Sequence, residues 1–183
     1  ALLDLLWRWQ QGQLDCEITC VVSNHHDLRQ AVENFGVPFH HVAVSKDNKV
    51  QAEAEIQALV KDCDLLVLAR YMQILSAEFT AAWHMKIINI HHSFLPAFVG
   101  ADPYRQAYEK GVKLIGATAH YVTADLDQGP IIEQDVHRVS HRHHVAELRA
   151  IGQDVERSVL TRAVRWHLQN RVIVTGNKTV VFN

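Results

Sequence analysis

The chain has 183 residues with a formal net charge of −2, and 48% of its residues are apolar while 21% are charged. This composition is typical of a globular domain with a sizeable core. The near-zero net charge and the lack of a basic block argue against nucleic acid or a membrane surface as a partner. The longest apolar run, from Leu65 to Ala69, is too short to span a bilayer. Three cysteines do not make a disulfide framework, which fits a cytoplasmic protein.

The residue pattern predicts helices and strands in alternation along most of the chain. The predicted helices are 1–11, 27–35, 49–61, 76–83, one that opens at Asp102-Pro103, and 145–169. The predicted strands are 15–23, 38–44, 64–69, one that starts at residue 87, 113–123 and 130–139, followed by a hairpin around Gly176-Asn177.

This alternation predicts an α/β fold: a Rossmann-like, mostly parallel sheet with helices on both faces, closed by a long C-terminal helix and a β-hairpin. Such a fold normally opens with a strand, but this chain opens with a predicted helix and has no initiator Met. We therefore expect residues 1–183 to form one domain whose first strand is missing from this chain.

The stretch from residue 87 to residue 96 combines a predicted strand with polar side chains. Its β-branched residues favour a strand, and Pro96 indicates that the strand has ended by then. Asn89 and His91 point to the same face of this strand, about 6.5 Å apart. Because ligands bind at the carboxyl ends of strands in open α/β sheets, the pair indicates an active site. The alternative is that both are hydrogen-bonded polar residues at a strand end.

A polar loop after the strand predicted at 113–123 carries two carboxylates, Asp125 and Asp127. A catalytic role requires one of them to orient His91 or to hold a water molecule, and the sequence does not choose between these roles. Loops rich in Asp and Gly are also common turns, which is the alternative interpretation.

The segment that follows the strand predicted at 64–69 is apolar. Its side chains either line a slot for a flat ring or belong to the core; they are Tyr71, Met72, Ile74 and Leu75. No glycine-rich phosphate loop of standard spacing supports a bound nucleotide. The histidines at 141, 143 and 144 lack the companions of known metal sites, so we expect them to be exposed and expect no metal ion.

Two motifs together resemble a known family. They are Asn89-x-His91-x-Ser93-x-Leu95-Pro96 and, 36 residues after His91, Asp127 in the run Asp125-Leu126-Asp127-Gln128-Gly129-Pro130. The combination resembles the formyltransferase family that uses 10-formyltetrahydrofolate, from about residue 14 to residue 139. The runs at 91–98, 116–121 and 174–179 are similar to the members that hydrolyse this substrate. Members that transfer the formyl group to glycinamide ribonucleotide usually have Pro where His92 stands.

The resemblance implies a formyltransferase-like catalytic domain that hydrolyses 10-formyltetrahydrofolate to formate and tetrahydrofolate. This reaction supplies formate for purine synthesis and balances the one-carbon folate pool. The resemblance implies that Asn89, His91 and Asp127 are catalytic, and it places the substrate against Tyr71, Met72, Ile74, Leu75, Ser93, His120, Thr123 and Asp125. It also implies a cytoplasmic homo-oligomer whose partner is the small-molecule folate, with no cofactor, no metal and an upstream regulatory domain absent here.

The chemistry of these residues agrees with hydrolysis of a formamide. An amide N–H such as that of Asn89 is suited to stabilise the oxyanion, typically by about 10²–10³ in rate. An imidazole such as that of His91 can exchange protons with water or the leaving nitrogen, for about a further 10²–10⁴. Two alternatives remain open: formyl transfer to glycinamide ribonucleotide, and a folate-binding module without catalysis.

Overall fold

The computed structural model describes residues 1–93 and 102–182. The helices are α1 Leu2–Gln10, α2 Arg29–Glu33, α3 Lys49–Val60, α4 Ala77–Ala82, α5 Pro103–Glu109 and α6 Val145–Leu168. The strands are β1 Val21–Ser23, β2 Phe39–His41, β3 Leu66–Leu68, β4 Ile87–His91, β5 Leu114–Tyr121, β6 Ile131–Arg138, β7 Val172–Thr175 and β8 Lys178–Val181. The predicted elements are all present, and several are shorter than predicted. No helix in the described part of the chain has the length and apolar character needed to cross a membrane.

Strand pairing changes from parallel to antiparallel along the chain. β1 pairs with β2, and β3 pairs with β4, both in parallel. β4 then pairs with β5, and β5 with β6, both antiparallel, so that the larger sheet has the order β3-β4-β5-β6. β7 and β8 form the predicted hairpin. The α/β class, the long C-terminal helix and the hairpin are therefore confirmed, with parallel pairing confined to β1–β4. A strand preceding α1 stays a prediction.

Helices cover both faces of the larger sheet, as predicted. On one face, Ile88 of β4 packs in the same cluster as Leu5 of α1 and Leu160 of α6. On the other face, Ile87 packs with Ile56 of α3 and with residues of α4. Burial of each such aliphatic side chain contributes about 1.5–3 kcal/mol. The strand therefore has a fixed register, because a slip by one residue would exchange its two faces.

The loop after β5 starts far from the end of β4 at which His91 lies. β5 runs antiparallel to β4, and the amide of Val122 donates to the carbonyl of Ile87 at the start of β4. Gly129 then approaches the carbonyl of Tyr121 so closely that a Cβ atom would overlap it. The loop between these points folds back over one face of the sheet, which brings it to the side chains that β4 presents there.

Candidate active site

Two neighbouring strands present polar side chains on one face of the sheet. β4 carries Asn89 and His91, and the antiparallel register places His120 of β5 directly opposite Asn89. The Asn89 Nδ2 atom lies 3.4 Å from Nε2 of His120. Residues directly opposite in such a ladder share a face, so the pairing follows from the register alone.

Asp127 completes the cluster from the loop after β5. Its Oδ2 atom lies 3.2 Å from Nδ1 of His91, and its Oδ1 atom lies 3.5 Å from Nε2 of His120. The residue has φ = 54°, a left-handed conformation that Asp tolerates better than most residues. The structure thus brings together the three predicted catalytic residues, and it adds His120, which sequence reasoning had placed only among substrate contacts.

The hydrogen bonds around His91 determine where its proton lies. A carboxylate only accepts, so Nδ1 donates to Asp127 and the neutral ring carries its lone pair on Nε2. This Nε2 atom is buried and has no hydrogen-bond partner among the described residues. A buried polar atom without a partner is uncommon and is expected where a ligand supplies the bond.

His120 has hydrogen-bond partners on both of its ring nitrogens. Its Nδ1 atom donates to the carbonyl oxygen of Tyr121 at 2.9 Å, so a neutral ring accepts through Nε2, from Asn89. A hydrogen bond to Asp127 requires a second proton on Nε2. Nε2 of His120 therefore lies within reach of both Asn89 and Asp127.

Burial and neighbouring charges have opposite effects on the pKa of each residue in the His91–Asp127 pair. Burial lowers the pKa of His91 below its ordinary value, and this outweighs the opposing effect of the Asp127 charge. The pKa of Asp127 is also below its ordinary value, first because of the hydrogen bond to His120 and then because of nearby imidazoles. At neutral pH the arrangement consists of a neutral imidazole beside an ionised carboxylate.

The predicted apolar slot divides into two pairs of side chains. Tyr71 and Leu75 pack against the core cluster that includes residues of α3 and α4. Met72 and Ile74 are 73% and 63% exposed. Two of the four residues are therefore available to a flat ring at the surface, while the other two hold the segment onto the core.

Three further predicted substrate contacts differ in their surroundings. The Oγ atom of Ser93 is buried without a partner in the described part of the chain, and the carbonyl of Ser93 accepts from Thr118 at 3.0 Å. Thr123 donates to the carbonyl of Asp125 at 3.2 Å, which closes the start of the loop. Asp125 itself is exposed. The predicted motif continues through Leu95 and Pro96, which lie outside the described residues.

A second polar cluster was not predicted. Glu156 of α6 is 1% exposed, and its Oε1 and Oε2 atoms accept from Nη2 and Nε of Arg70, each at 2.8 Å. The hydroxyl of Tyr104 on α5 also donates to Oε1 at 2.8 Å. A sequence signal did exist: Glu156 lies at helical spacing from Gly152 and Leu160, on the buried face of α6.

A cavity of about 340 Å³ lies beside this second cluster. Its lining residues are Arg70, Met72, His92, Asp102, Pro103, Tyr104 and Arg149. The ring of His92 also stacks on that of His91, with their centroids 5.2 Å apart. His92 thus both lines the cavity and contacts the His91 ring.

The histidines near α6 have local structural roles. Nδ1 of His143 accepts from the backbone amide of Ser140 at 3.0 Å, and His144 is the N-cap of α6, where it forms a capping box with Glu147. No group of three or more His, Cys, Asp or Glu side chains in residues 1–93 and 102–182 is arranged to hold a metal ion. The three cysteines are free and half-buried.

A sequence model described as formyl transferase matches residues 2–164. The chain belongs to the formyl transferase family. It is 57% identical to a formyltetrahydrofolate deformylase of Bacillus subtilis, over all of this chain and 62% of that protein. A crystal structure of a formyltetrahydrofolate deformylase from Pseudomonas syringae has a TM-score of 0.96 at 56% identity, again with all of this chain and 62% of the other covered.

A solved structure with lower sequence identity is named for a different activity. It is glycinamide ribonucleotide transformylase 1 from Symbiobacterium toebii, with a TM-score of 0.89 at 30% identity, and it is covered over 88% of its length and all of this chain. The chain thus spans less than two thirds of the deformylases it matches and most of the transformylase. The sequence identity to these two deformylases is nearly twice the identity to the transformylase.

Proposed function

We propose that this chain carries out the hydrolysis of 10-formyltetrahydrofolate to formate and tetrahydrofolate. The observation that carries the proposal is the unpartnered, buried Nε2 atom of His91, whose other nitrogen is held by Asp127. The 57% identity to a formyltetrahydrofolate deformylase supports the choice of substrate. Formate released in this way would supply purine synthesis and balance the one-carbon folate pool.

The proposed reaction starts with attack of water on the formyl carbon. His91 Nε2 takes the proton from water, and an N–H of Asn89 donates to the oxyanion of the tetrahedral intermediate. The bond from the formyl carbon to N10 then breaks, and His91 returns the proton to N10. The products are formate and tetrahydrofolate, and the imidazole is neutral again.

Asp127 acts in this proposal by orienting His91 rather than by holding the water. Its carboxylate lies at hydrogen-bond distance from Nδ1, so it fixes the tautomer with the lone pair on Nε2 and stabilises the imidazolium that forms during the reaction. Its second oxygen faces His120, which limits its rotation toward a water molecule.

The pterin ring of the substrate is proposed to lie against Met72 and Ile74, with the loop from Thr123 to Asp127 above it. Both apolar side chains are exposed in a segment without regular structure, which leaves backbone groups available to the ring. Ser93 and His120 are the proposed polar contacts nearest to the formyl group. We further propose that the protein acts as a cytoplasmic homo-oligomer without a cofactor.

The test is an assay of the purified protein with 10-formyltetrahydrofolate and no acceptor. We expect formate and tetrahydrofolate in equal amounts. If tetrahydrofolate appears only when glycinamide ribonucleotide is added, the protein is a formyl transferase acting on that amine. If the folate binds and is recovered intact under both conditions, the protein is a binding module and the proposed hydrolysis is wrong.

A further inference from the structure

The cavity beside His92 raises the question of which nucleophile reaches the formyl group. The chain shares its fold with proteins named as transformylases of glycinamide ribonucleotide, yet it is more similar to deformylases. Transfer requires an amine to occupy the place that water takes in hydrolysis. The cavity lies next to the His91–His92 stack, so its charges bear on that choice.

Glu156 is the only acidic residue that is fully buried in the described part of the chain. It does not line the cavity, whereas both of its partners, Arg70 and Tyr104, do. Arg70 forms a bidentate ion pair with both carboxylate oxygens. The arginine thus lies between a buried negative charge and the cavity, and it neutralises that charge.

The other carboxylate at the cavity is also matched by cations. Asp102 lies 3.2 Å from Arg105 and 3.4 Å from Arg149, and all three side chains are at least one-third exposed. Solvent screens such exposed pairs strongly. Among the described residues that line the cavity, no carboxylate is both shielded from solvent and without a cationic partner.

An aliphatic amine is largely cationic near neutral pH, so a site that recruits it needs an acidic partner for the ammonium group. We propose that Arg70 selects water over an amine acceptor by covering and neutralising Glu156. This inference rests on the proposed hydrolysis and names the residue that restricts its nucleophile. It predicts that a neutral side chain at position 70 uncovers the Glu156 carboxylate to the cavity.

In such a variant the bound ammonium group first releases one proton to solvent, the neutral amine nitrogen then forms a bond to the formyl carbon, and the bond from that carbon to N10 breaks. The proton that the amine loses goes to N10, through His91. The products are the N-formylated amine and tetrahydrofolate, so no oxidant, reductant or further reactant is needed. Hydrolysis and transfer then differ only in the attacking atom.

The test uses Arg70→Gln, which removes the charge but keeps a side chain that can donate to Glu156. Wild type and variant are incubated with 10-formyltetrahydrofolate and glycinamide as the amine probe, and N-formylglycinamide and formate are measured by mass spectrometry. We expect at least a tenfold increase in the ratio of N-formylglycinamide to formate. Arg70→Lys keeps the cation and is expected to retain the wild-type ratio.

Two controls isolate the carboxylate. The double variant Arg70→Gln with Glu156→Gln is expected to lose the gain in transfer, and Arg149→Gln, which removes the exposed cation of the same cavity, is expected to leave the ratio unchanged. Arg70→Met is a second neutral variant, for use if Arg70→Gln does not fold. Circular dichroism shows which of the two variants is folded, and the product ratio is compared in that variant. An unchanged ratio in a folded neutral variant overturns the inference. Absence of formate in the wild-type assay without amine overturns the proposed hydrolysis instead.

Discussion

The two polar clusters of this molecule differ in how completely their hydrogen bonds are made. Glu156 is buried, and Arg70 and Tyr104 together satisfy both of its oxygens. In the cluster on β4 and β5, by contrast, His91 keeps one buried nitrogen without a partner in the described chain. Both clusters contain a carboxylate held by hydrogen bonds, yet among the described residues only the His91 cluster has a buried ring nitrogen left for a ligand.

This difference separates a cluster that holds the fold from one that holds a substrate. A buried polar atom left unpaired carries a desolvation penalty of about 1–3 kcal/mol, which an incoming ligand can remove. A fully satisfied network has nothing to gain from a ligand and instead fixes its elements relative to one another. Substitutions in the His91 cluster should therefore reduce activity, and substitutions in the Glu156 cluster should reduce stability.

The largest effect is expected for His91→Ala. Loss of the proton-transferring imidazole should lower kcat by about 10²–10⁴-fold. The free energy of unfolding should change by less than about 1 kcal/mol, because the side chain leaves one bond unmade in the folded state. Steady-state assays and urea unfolding measure the two quantities. His84→Ala, at an exposed histidine, is the control with wild-type activity, and a rate for His91→Ala within threefold of wild type would refute the assignment.

Asp127→Asn tests how the carboxylate acts. We expect kcat/KM to fall by about 10²-fold or more, since the amide no longer fixes the reactive tautomer or stabilises the imidazolium.

The pH profile of kcat/KM for Asp127→Asn distinguishes an electrostatic role of Asp127 from a purely structural one. The negative charge of Asp127 raises the pKa of His91 against the larger effect of burial, so its removal lowers that pKa further. The acid limb of kcat/KM reports this pKa in the free enzyme. The residual activity of the variant should therefore persist to lower pH than that of the wild type. An acid limb that stays in place or moves to higher pH is the contrary result.

Glu156→Ala tests the satisfied cluster and should have the smallest effect on the chemistry. Removal of a buried carboxylate from its pair should reduce the free energy of unfolding by about 2–3 kcal/mol, at the low end for buried pairs because Arg70 is 43% exposed. Glu33→Ala removes an exposed glutamate that pairs with Arg29 and should cost about 0.5 kcal/mol or less. Chemical denaturation measures both. Equal losses in the two variants would contradict the comparison.

Local sequence signals predicted much of the fold. The helix predicted at 76–83 begins at Ser76, whose hydroxyl accepts from the amide of Phe79 at 3.1 Å as an N-cap. The strand around Asn89 was predicted from its β-branched residues, and Gly176-Asn177 predicted the hairpin. These features depend on neighbours within a few residues, so their physics is contained in a short window of sequence.

Long-range contacts were the part that local signals did not supply. Nothing in the spacing of Arg70 and Glu156, 86 residues apart, indicates that they form an ion pair. The same holds for His91 and Asp127, whose proximity requires the loop after an antiparallel strand to fold back over the sheet. That pairing was expected only through family resemblance. A buried glutamate on an apolar helix face is the one signal that could have pointed to a distant cation.

Gly152 lies one helical turn before Glu156, where α6 crosses Tyr104, and a Cβ atom at this position would overlap the phenol ring. Rotating α6 about its axis by a single residue would bring Ile151 or Gln153 to the crossing, and neither fits the gap. The space at Gly152 accepts the ring of Tyr104, and this contact favours the observed rotation of α6 about its axis. The lack of a side chain at position 152 therefore helps to set the rotation of α6 against the sheet that carries the active-site residues.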